Sequence, residues 1–342
     1  MERNKFGCRM RIGVRIAVLA GAAVAWSVAA SAEPPQDPHG ILTLQVENDA
    51  VSTLRGTTDY YYTSGLRLGY TTGTDAIPAF LANAGHAVWG DGVQRISIDI
   101  SQSIFTPRNT QINPPNPHDR PYAAWLRASA QLLTDKDNSR SILGISLGVV
   151  GPSALGEQVQ NGFHSLIGDP PNRGWGYQIK DEPAFQFLVE RTYRLPVARF
   201  SNLEVDALPA LTLGVGNVRD YLQAGFALRL GQGLNSDFGA PRIRPGFSGG
   251  DAYTPTRPFA WYVFVGGDGQ AVARDIFLDG NTWRNNSPSV TKRVLVGEIN
   301  AGAAIMLAGV RITYTQTWQT PEFSRQRSGL VNFGSLSASV RF

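Results

Sequence analysis

The chain has 342 residues and a formal net charge of +4, but this positive surplus is confined to its first segment. Five of the 31 basic and one of the 27 acidic residues lie within residues 1–32, so the other 310 residues carry 26 of each. This balance gives no indication of a nucleic-acid partner. The single cysteine, Cys8, also lies in the first segment, which excludes disulfides from the remainder.

Residues 1–32 have the pattern of a bacterial signal peptide. Arg9, Arg11 and Arg15 form a basic region before an apolar run over residues 16–28, and an A-S-A cleavage signal ends the segment. We therefore expect an exported protein whose single domain is residues 33–342. No later segment approaches the roughly 18 consecutive apolar residues of a membrane helix. The exported domain is then either soluble or a β-barrel of the bacterial outer membrane.

From residue 41 onward, segments of about 9–13 residues alternate apolar and polar side chains. The first, "ILTLQVEN", places Leu42, Leu44 and Val46 on one face, and the last, "SLSASVRF", ends in Phe342 as outer-membrane barrels commonly do. The pattern predicts an all-β fold, a transmembrane antiparallel β-barrel of about 12 strands. We place the strand centres near residues 45, 67, 97, 128, 146, 189, 209, 226, 262, 298, 315 and 337.

Connections of alternating length indicate which end of the barrel is extracellular. Long connections are predicted outside, at residues 49–62, 104–121, 151–181 and 268–290. Short turns are predicted inside, at residues 134–139, 194–200 and 307–310. Two inner connections, at residues 73–92 and 233–256, are longer than this scheme expects. We expect side chains such as Glu47, Arg67 and Arg311 to fill the narrow lumen.

The outer connection 151–181 contains one predicted short helix, of about 14 residues, around "EQVQNGFHSLIGDP". Ser153 is its expected N-cap, and Gln160 and His164, one turn apart, can face the same pocket. An apolar stripe is expected to dock the helix on the barrel rim, since a helix this short needs packing to persist. The stripe consists of Leu155, Val159, Phe163 and Leu166. A packing role for the histidine remains the alternative.

A second polar cluster, "ENDAVSTLRGTTDYYYTSG", joins strands 1 and 2 at the outer mouth. Alternation points Glu47 and Asp49 inward together with Thr63, and turns Asn48 toward the lipid. Carboxylate, amide and carbonyl oxygens are the ligands that Ca²⁺ prefers, although a solvated acidic turn explains the cluster equally well. Arg108, in the loop after strand 3, is a candidate contact for a substrate phosphate.

Several of these segments together resemble the lipid A 3′-O-deacylase family of outer-membrane enzymes. They are "VENDA", "TTDYYYTSGLRLGY", "HDRPYAAWL", "VVGPSALGEQVQNGFHSLIG" and "GLNSDFGAPRI", and the similarity extends over nearly all of residues 33–342. The resemblance implies a twelve-stranded barrel and a Ca²⁺-dependent esterase acting on lipid A, or lipopolysaccharide, in the outer leaflet. It also implies a mechanism in which a histidine base activates water while Ca²⁺ stabilises the oxyanion.

Carried over residue by residue, the resemblance assigns the base to His164, with Asn48 and Thr63 as further catalytic residues. Asp49 and Gln160 would belong to the metal neighbourhood. Two positions depart from the family pattern. Pro170 occupies the place of an acid beyond the histidine, so that Asp169 is the expected substitute metal ligand, and Arg108 is the only basic residue in the loop where the family carries one.

The chemistry alone is consistent with this assignment, because histidine titrates near neutral pH and suits a proton acceptor. The two G-x-S-x-G matches, residues 144–148 and 246–250, lie in a predicted strand and a predicted inner connection and not at a strand-to-helix turn, so water is the expected nucleophile. We expect a monomer embedded in the membrane. Two alternatives stay open, a barrel phospholipase acting on glycerophospholipids and a non-enzymatic narrow channel or adhesin.

Overall fold

The computed structural model describes residues 34, 36–49, 61–74, 76–243, 250–327 and 329–342. The predicted signal peptide lies outside the described residues. Contacts divide the chain into two units, Met1–Ala32 and Glu33–Phe342, and every element described belongs to the second.

Thirteen strands of the described residues form a single antiparallel sheet. They are β1 (Ile41–Asn48), β2 (Tyr61–Thr71), β3 (Val93–Thr106), β4 (Ala123–Lys136), β5 (Ser139–Val150), β6 (Glu182–Tyr193), β7 (Leu195–Phe200), β8 (Leu203–Gly216), β9 (Arg219–Gln232), β10 (Phe259–Asp275), β11 (Leu295–Leu307), β12 (Val310–Gln319) and β13 (Val331–Arg341). Because β1 pairs with both β2 and β13, and β6 pairs with both β5 and β8, the sheet closes on itself.

The barrel wall has twelve positions, because β6 and β7 are successive parts of one wall strand. Both pair with β8 in a continuous register, Thr192 opposite Ala210 and Leu195 opposite Ala207, with a break at Arg194. The predicted twelve-stranded barrel is therefore confirmed. The prediction that residues 194–200 form an inner turn is wrong: they form β7, and the turn is the residue pair 201–202, which begins with Ser201 at a positive φ of 54°.

Three α-helices lie among the described connections, α1 (Ala79–Trp89), α2 (Gly156–Ile167) and α3 (Ile276–Asp279). Helix α1 lies between β2 and β3 and explains why the inner connection 73–92 is long. In the part of the chain that the structure describes, no helix combines the length and apolar character required to cross a membrane.

The alternation of side chains is that of a membrane barrel, with polar residues buried inside and apolar residues exposed outside. On β1, Thr43, Gln45 and Glu47 are buried, whereas Leu42 and Leu44 are exposed. The exposed apolar positions continue around the wall and form what we call the lipid belt.

The long inner connection between β9 and β10 enters the lumen, and we call its described parts, residues 233–243 and 250–258, the plug. Its Asp237 carboxylate binds Arg229 at 2.6 Å and Arg311 at 3.2 Å, on opposite oxygens. Its Asp251 pairs with Arg67 of β2. The backbone N–H of Ile243 donates to Glu47 at 2.9 Å. The expectation that the lumen is filled by Glu47, Arg67 and Arg311 is confirmed, with the plug supplying their partners.

Aromatic side chains close the outer end of the lumen. Phe277 of α3 stacks on Phe105 with ring centroids 4.2 Å apart, and Tyr62 packs edge-on against Phe333 at 5.0 Å. The Tyr62 hydroxyl donates to Glu47 at 2.8 Å, which connects this aromatic layer to the plug below. Together, the plug and the aromatic layer obstruct the described part of the lumen and leave a cavity lined by residues that include Arg67, Asp99 and Arg127.

Candidate active site

Helix α2 lies against the outer surface of the wall, at the extracellular ends of β3 and β4. Ile104 and Ala124, which face outward there, form an apolar cluster with Ala154 and Trp175 of the same outer connection. The side-chain amide of Gln102 donates to the carbonyl oxygen of Ala154 at 2.6 Å. These contacts hold the helix at the rim beside the membrane.

Gly156 allows this close approach. A Cβ atom at position 156 would lie 2.5 Å from the Cβ of Ala124 and 2.7 Å from the Trp175 ring, distances that real Cβ contacts do not reach. Glycine is therefore required where the first turn of α2 meets the wall.

Substituting Gly156 by alanine is expected to displace α2 from the wall and to speed hydrogen exchange of its backbone amides, measured by mass spectrometry. Gly162→Ala is the matched control, because a Cβ there meets nothing within 4 Å. It removes a glycine from a helix interior and should slow exchange, with a gain of about 0.4–1 kcal/mol. Equal protection in the two variants would contradict this account of the docking.

The start of α2 differs from the prediction. Residues 152–154 form a separate 3₁₀ turn, Leu155 follows at a positive φ of 60°, and α2 then has 12 residues. Ser153 does not cap the helix: its backbone N–H and its hydroxyl donate to the Asp181 carboxylate at 2.7 and 2.9 Å. The helix ends at Gly168, whose N–H donates to the His164 carbonyl oxygen.

The predicted docking face of α2 is only partly right: Val159 packs against the cluster at the wall, but the other three residues of the stripe do not. Phe163 and Leu166 are 53% and 82% exposed, and Leu155 is exposed as well. The buried side of the helix consists of Gly156, Gln160 and His164. The prediction took every apolar residue of the stripe to face the wall. The rim of this barrel borders lipid, however, and lipid also accepts apolar side chains.

The His164 ring is held by a backbone carbonyl. Its Nδ1 lies 2.8 Å from the carbonyl oxygen of Pro170, and the residue is 8% exposed. A carbonyl oxygen only accepts hydrogen bonds, so the contact places the proton on Nδ1. In the neutral ring, Nε2 then carries the basic lone pair. Pro170, where the family pattern has an acid, thus orients the ring through its backbone.

Gln160 and His164 share the buried side of α2, as their spacing predicts. The indole Nε1–H of Trp175 donates to Oε1 of Gln160 at 3.1 Å, which fixes the orientation of the amide.

The strand register places Asn48 on the same outward row of the wall as the residues beneath α2. Asn48 is opposite Ser64, Ser64 is opposite Ile104, and Ile104 is opposite Ala124. At about 4.8 Å between strands, Asn48 lies roughly 10 Å along this row from Ile104. Its predicted lipid-side position agrees with the exposed Leu42 and Leu44 on the same face of β1.

Thr63 lies at a bulge in β2, since Tyr62 and Ser64 pair with the consecutive residues Phe105 and Ile104. Simple alternation pointed Thr63 into the lumen, but the bulge turns Tyr62 inward, and the Thr63 hydroxyl meets that of Thr106 at 2.7 Å. Bulges commonly redirect side chains beside active sites. Asp49, which follows Asn48, is buried.

The remaining predicted residues are less enclosed. Asp169 is half-buried, and its backbone N–H donates to the His164 carbonyl oxygen at 2.9 Å. Arg108 is exposed, with its backbone N–H bound to Asp119. The sequence analysis did not single out Arg173, an exposed basic residue in the connection after α2. Its backbone N–H donates to the Thr110 carbonyl oxygen at 3.0 Å, which joins this connection to the loop after β3.

The donors predicted for a metal fit a hard cation in chemical type. Asp49 offers a carboxylate, Asn48 and Gln160 offer amide oxygens, and Thr63 offers a hydroxyl, all of which suit Ca²⁺. Within the described residues there is no group of three or more His, Cys, Asp or Glu side chains that could hold a metal. A cation here would therefore depend on at most two predicted carboxylates, Asp49 and Asp169, and several neutral oxygens.

A sequence model of the family described as outer membrane protein LpxR matches residues 15–342. The chain belongs to the LpxR family. Its fold is similar to that of LpxR from Salmonella typhimurium, with a TM-score of 0.74 and 22% identity over 88% of this chain and 100% of that one. The beta domain of the Bordetella autotransporter BrkA is a more distant barrel, with a TM-score of 0.43, 9% identity, and coverage of 89% and 98%. A search of the curated proteins finds no match.

Membership of the LpxR family confirms the resemblance identified from the sequence motifs and the outer-membrane location. It supports the general function, that of an outer-membrane lipid A deacylase. The catalytic and metal roles assigned above to individual residues of this LpxR-family protein stay predictions.

Proposed function

We propose that this protein is a Ca²⁺-dependent esterase that removes the 3′-linked acyloxyacyl chain of lipid A in the outer leaflet. The observation that carries the proposal is the contact between His164 Nδ1 and the Pro170 carbonyl oxygen, on a helix at the outer, lipid-facing rim. It supports a general base whose basic lone pair is on Nε2. The obstructed lumen supports an enzyme in preference to a channel.

In the proposed reaction, His164 Nε2 accepts a proton from a water molecule. The water oxygen bonds to the ester carbonyl carbon, and the bond from that carbon to the sugar 3′-oxygen then breaks. The proton held by His164 passes to the departing sugar oxygen, giving the free acyloxyacyl acid and a 3′-hydroxyl group. The Pro170 carbonyl keeps the Nδ1 proton in place and the ring in one orientation throughout.

Asn48, Asp49, Thr63 and Gln160 would hold the cation, with Asp169 as the further predicted carboxylate ligand. Bound Ca²⁺ would supply positive charge to meet the negative charge that develops on the ester oxygen, an effect worth several kcal/mol. The oxygen-only donor set supports a hard cation over a transition metal.

Removing Ca²⁺ with a chelator is expected to abolish deacylation, and adding Ca²⁺ to restore it. Asp49→Asn removes the only carboxylate among the closest proposed donors, so it should weaken Ca²⁺ binding at least tenfold in calorimetric titration. Asp91→Asn, an exposed acid at the inner end of the barrel, is the control and should bind Ca²⁺ like the parent. Activity that persists in chelator would contradict the metal requirement.

The substrate is tested by mass spectrometry of lipid A from cells with and without the protein. We expect a mass loss that corresponds to one acyloxyacyl group, together with release of that acid. Release of lysophospholipid with unchanged lipid A would instead identify a phospholipase and refute the proposed substrate.

A further inference from the structure

We propose that one side of helix α2 is immersed in the outer leaflet, where its apolar side chains contact the fatty acyl chains of membrane lipids. We define the apolar flank as Phe163 and Leu166, which are exposed; Val159, at its edge, is partly buried against the cluster that holds the helix to the wall. This inference goes beyond the proposed function and does not depend on it, because it concerns contact with the bilayer whether or not an ester is cleaved.

The helix has three distinct sides. At 100° per residue, the buried residues Gly156, Gln160 and His164 span about 80° of its circumference. The apolar flank lies immediately to one side of them. The polar flank, defined as Glu157, Asn161 and Ser165, lies to the other side. The buried residues hold α2 to the barrel wall and lie between the two flanks. The two flanks therefore point in opposite directions along the surface of the wall.

The polar flank points toward the extracellular loops. Asn161 accepts a hydrogen bond from the backbone N–H of Asn172 at 2.8 Å, and its side-chain amide donates to the Asn172 carbonyl oxygen at 3.3 Å. The neighbouring Arg173 is bound in turn to Thr110 of the loop after β3. Because these outer connections lie on the side away from the membrane, the apolar flank faces the lipid belt.

The height of α2 on the wall brings this flank to the acyl chains. The helix covers Ile104, whereas Ile100, four residues further along the same face of β3, is 63% exposed in the lipid belt. Four residues of a strand tilted by roughly 40° span about 10 Å along the membrane normal. Interfacial helices bury their apolar side about 5–10 Å into the boundary between headgroups and acyl chains. The apolar flank therefore continues the lipid belt upward.

The absence of cysteine after Cys8 allows a direct test with single-cysteine variants of the mature chain. Phe163→Cys and Leu166→Cys would each carry a nitroxide spin label in protein refolded into phosphatidylcholine vesicles. Power saturation then compares collisions of the label with oxygen, which concentrates in the bilayer, and with a water-soluble nickel chelate. Both positions are exposed, so the label displaces no packing, and heat-modifiable migration in electrophoresis verifies the fold.

Three further variants calibrate the measurement. Ile100→Cys gives the lipid value, Asn109→Cys in an exposed loop gives the aqueous value, and Ser165→Cys is the matched control on the same helix. We expect the ratio of oxygen to nickel collisions at both apolar-flank positions to approach that of Ile100→Cys, and the ratio at Ser165→Cys to approach that of Asn109→Cys. Aqueous values at the apolar flank, or equal values on both flanks, would overturn the proposal.

Discussion

His164→Ala is expected to lower the rate of lipid A deacylation by about 10²–10⁴-fold, the usual contribution of a general base. The substitution removes the imidazole ring that the Pro170 carbonyl orients at the lipid-facing rim. The barrel should remain intact, since the residue lies on a helix outside the wall. The measurement is the initial rate of acyl release from purified lipid A, with excess Ca²⁺.

Ser165→Ala, on the next residue of the same helix, provides the comparison, because this exposed hydroxyl lies on the polar flank. It should retain nearly the parental rate. A His164→Ala protein that is folded and cleaves lipid A within a few-fold of the parent would rule out the proposed base and require another proton acceptor.

Asp237→Ala is expected to reduce the free energy of unfolding by about 3–5 kcal/mol, as for other broken buried ion pairs. The Asp237 carboxylate meets the guanidinium groups of both Arg229 and Arg311, and it also accepts from the Tyr262 hydroxyl at 2.9 Å. Its loss leaves two buried cations without this shared anion. Urea unfolding of the refolded protein in detergent micelles gives the change.

The corresponding surface control is Arg199→Ala. Arg199 is largely exposed and pairs with Glu204 at 3.5 Å at the inner rim. Exposed ion pairs contribute about 0–1 kcal/mol, so this variant should unfold close to the parent. If Asp237→Ala were as mild as Arg199→Ala, the plug would have little role in stability.

The barrel could be predicted from the sequence because a bilayer imposes the same alternation on every strand. The twelve predicted strand centres correspond to the twelve wall positions. The break in the strand at Arg194 is the reason that β7 was predicted to be a turn. The plug could not be predicted in the same way. Its partners are distant in sequence, as with Asp251 and Arg67, 184 positions apart, and a polar connection carries no periodicity to reveal where it folds.

The site was predictable where spacing decides the geometry. Gln160 and His164, one helical turn apart, share the buried side of α2 as expected. The prediction of the docking face was only partly right, because a sequence does not show whether an apolar stripe contacts protein or lipid. The contact of Pro170 was hidden for another reason: it is made by a backbone carbonyl, which every residue carries and no side-chain pattern reports.

The plug has a consequence for how the molecule is assembled. The seam of the cylinder joins β1 to β13, where the hydroxyls of Thr43 and Ser339 meet at 2.9 Å from opposite ends of the chain. A cylinder closed before the plug enters would hold Arg311 without its Asp237 partner, and Arg229 and Arg67 with only their wall partners, Asp206 and Asp99. We therefore expect the β9–β10 connection to enter the cylinder before or as the seam between the first and last strands closes.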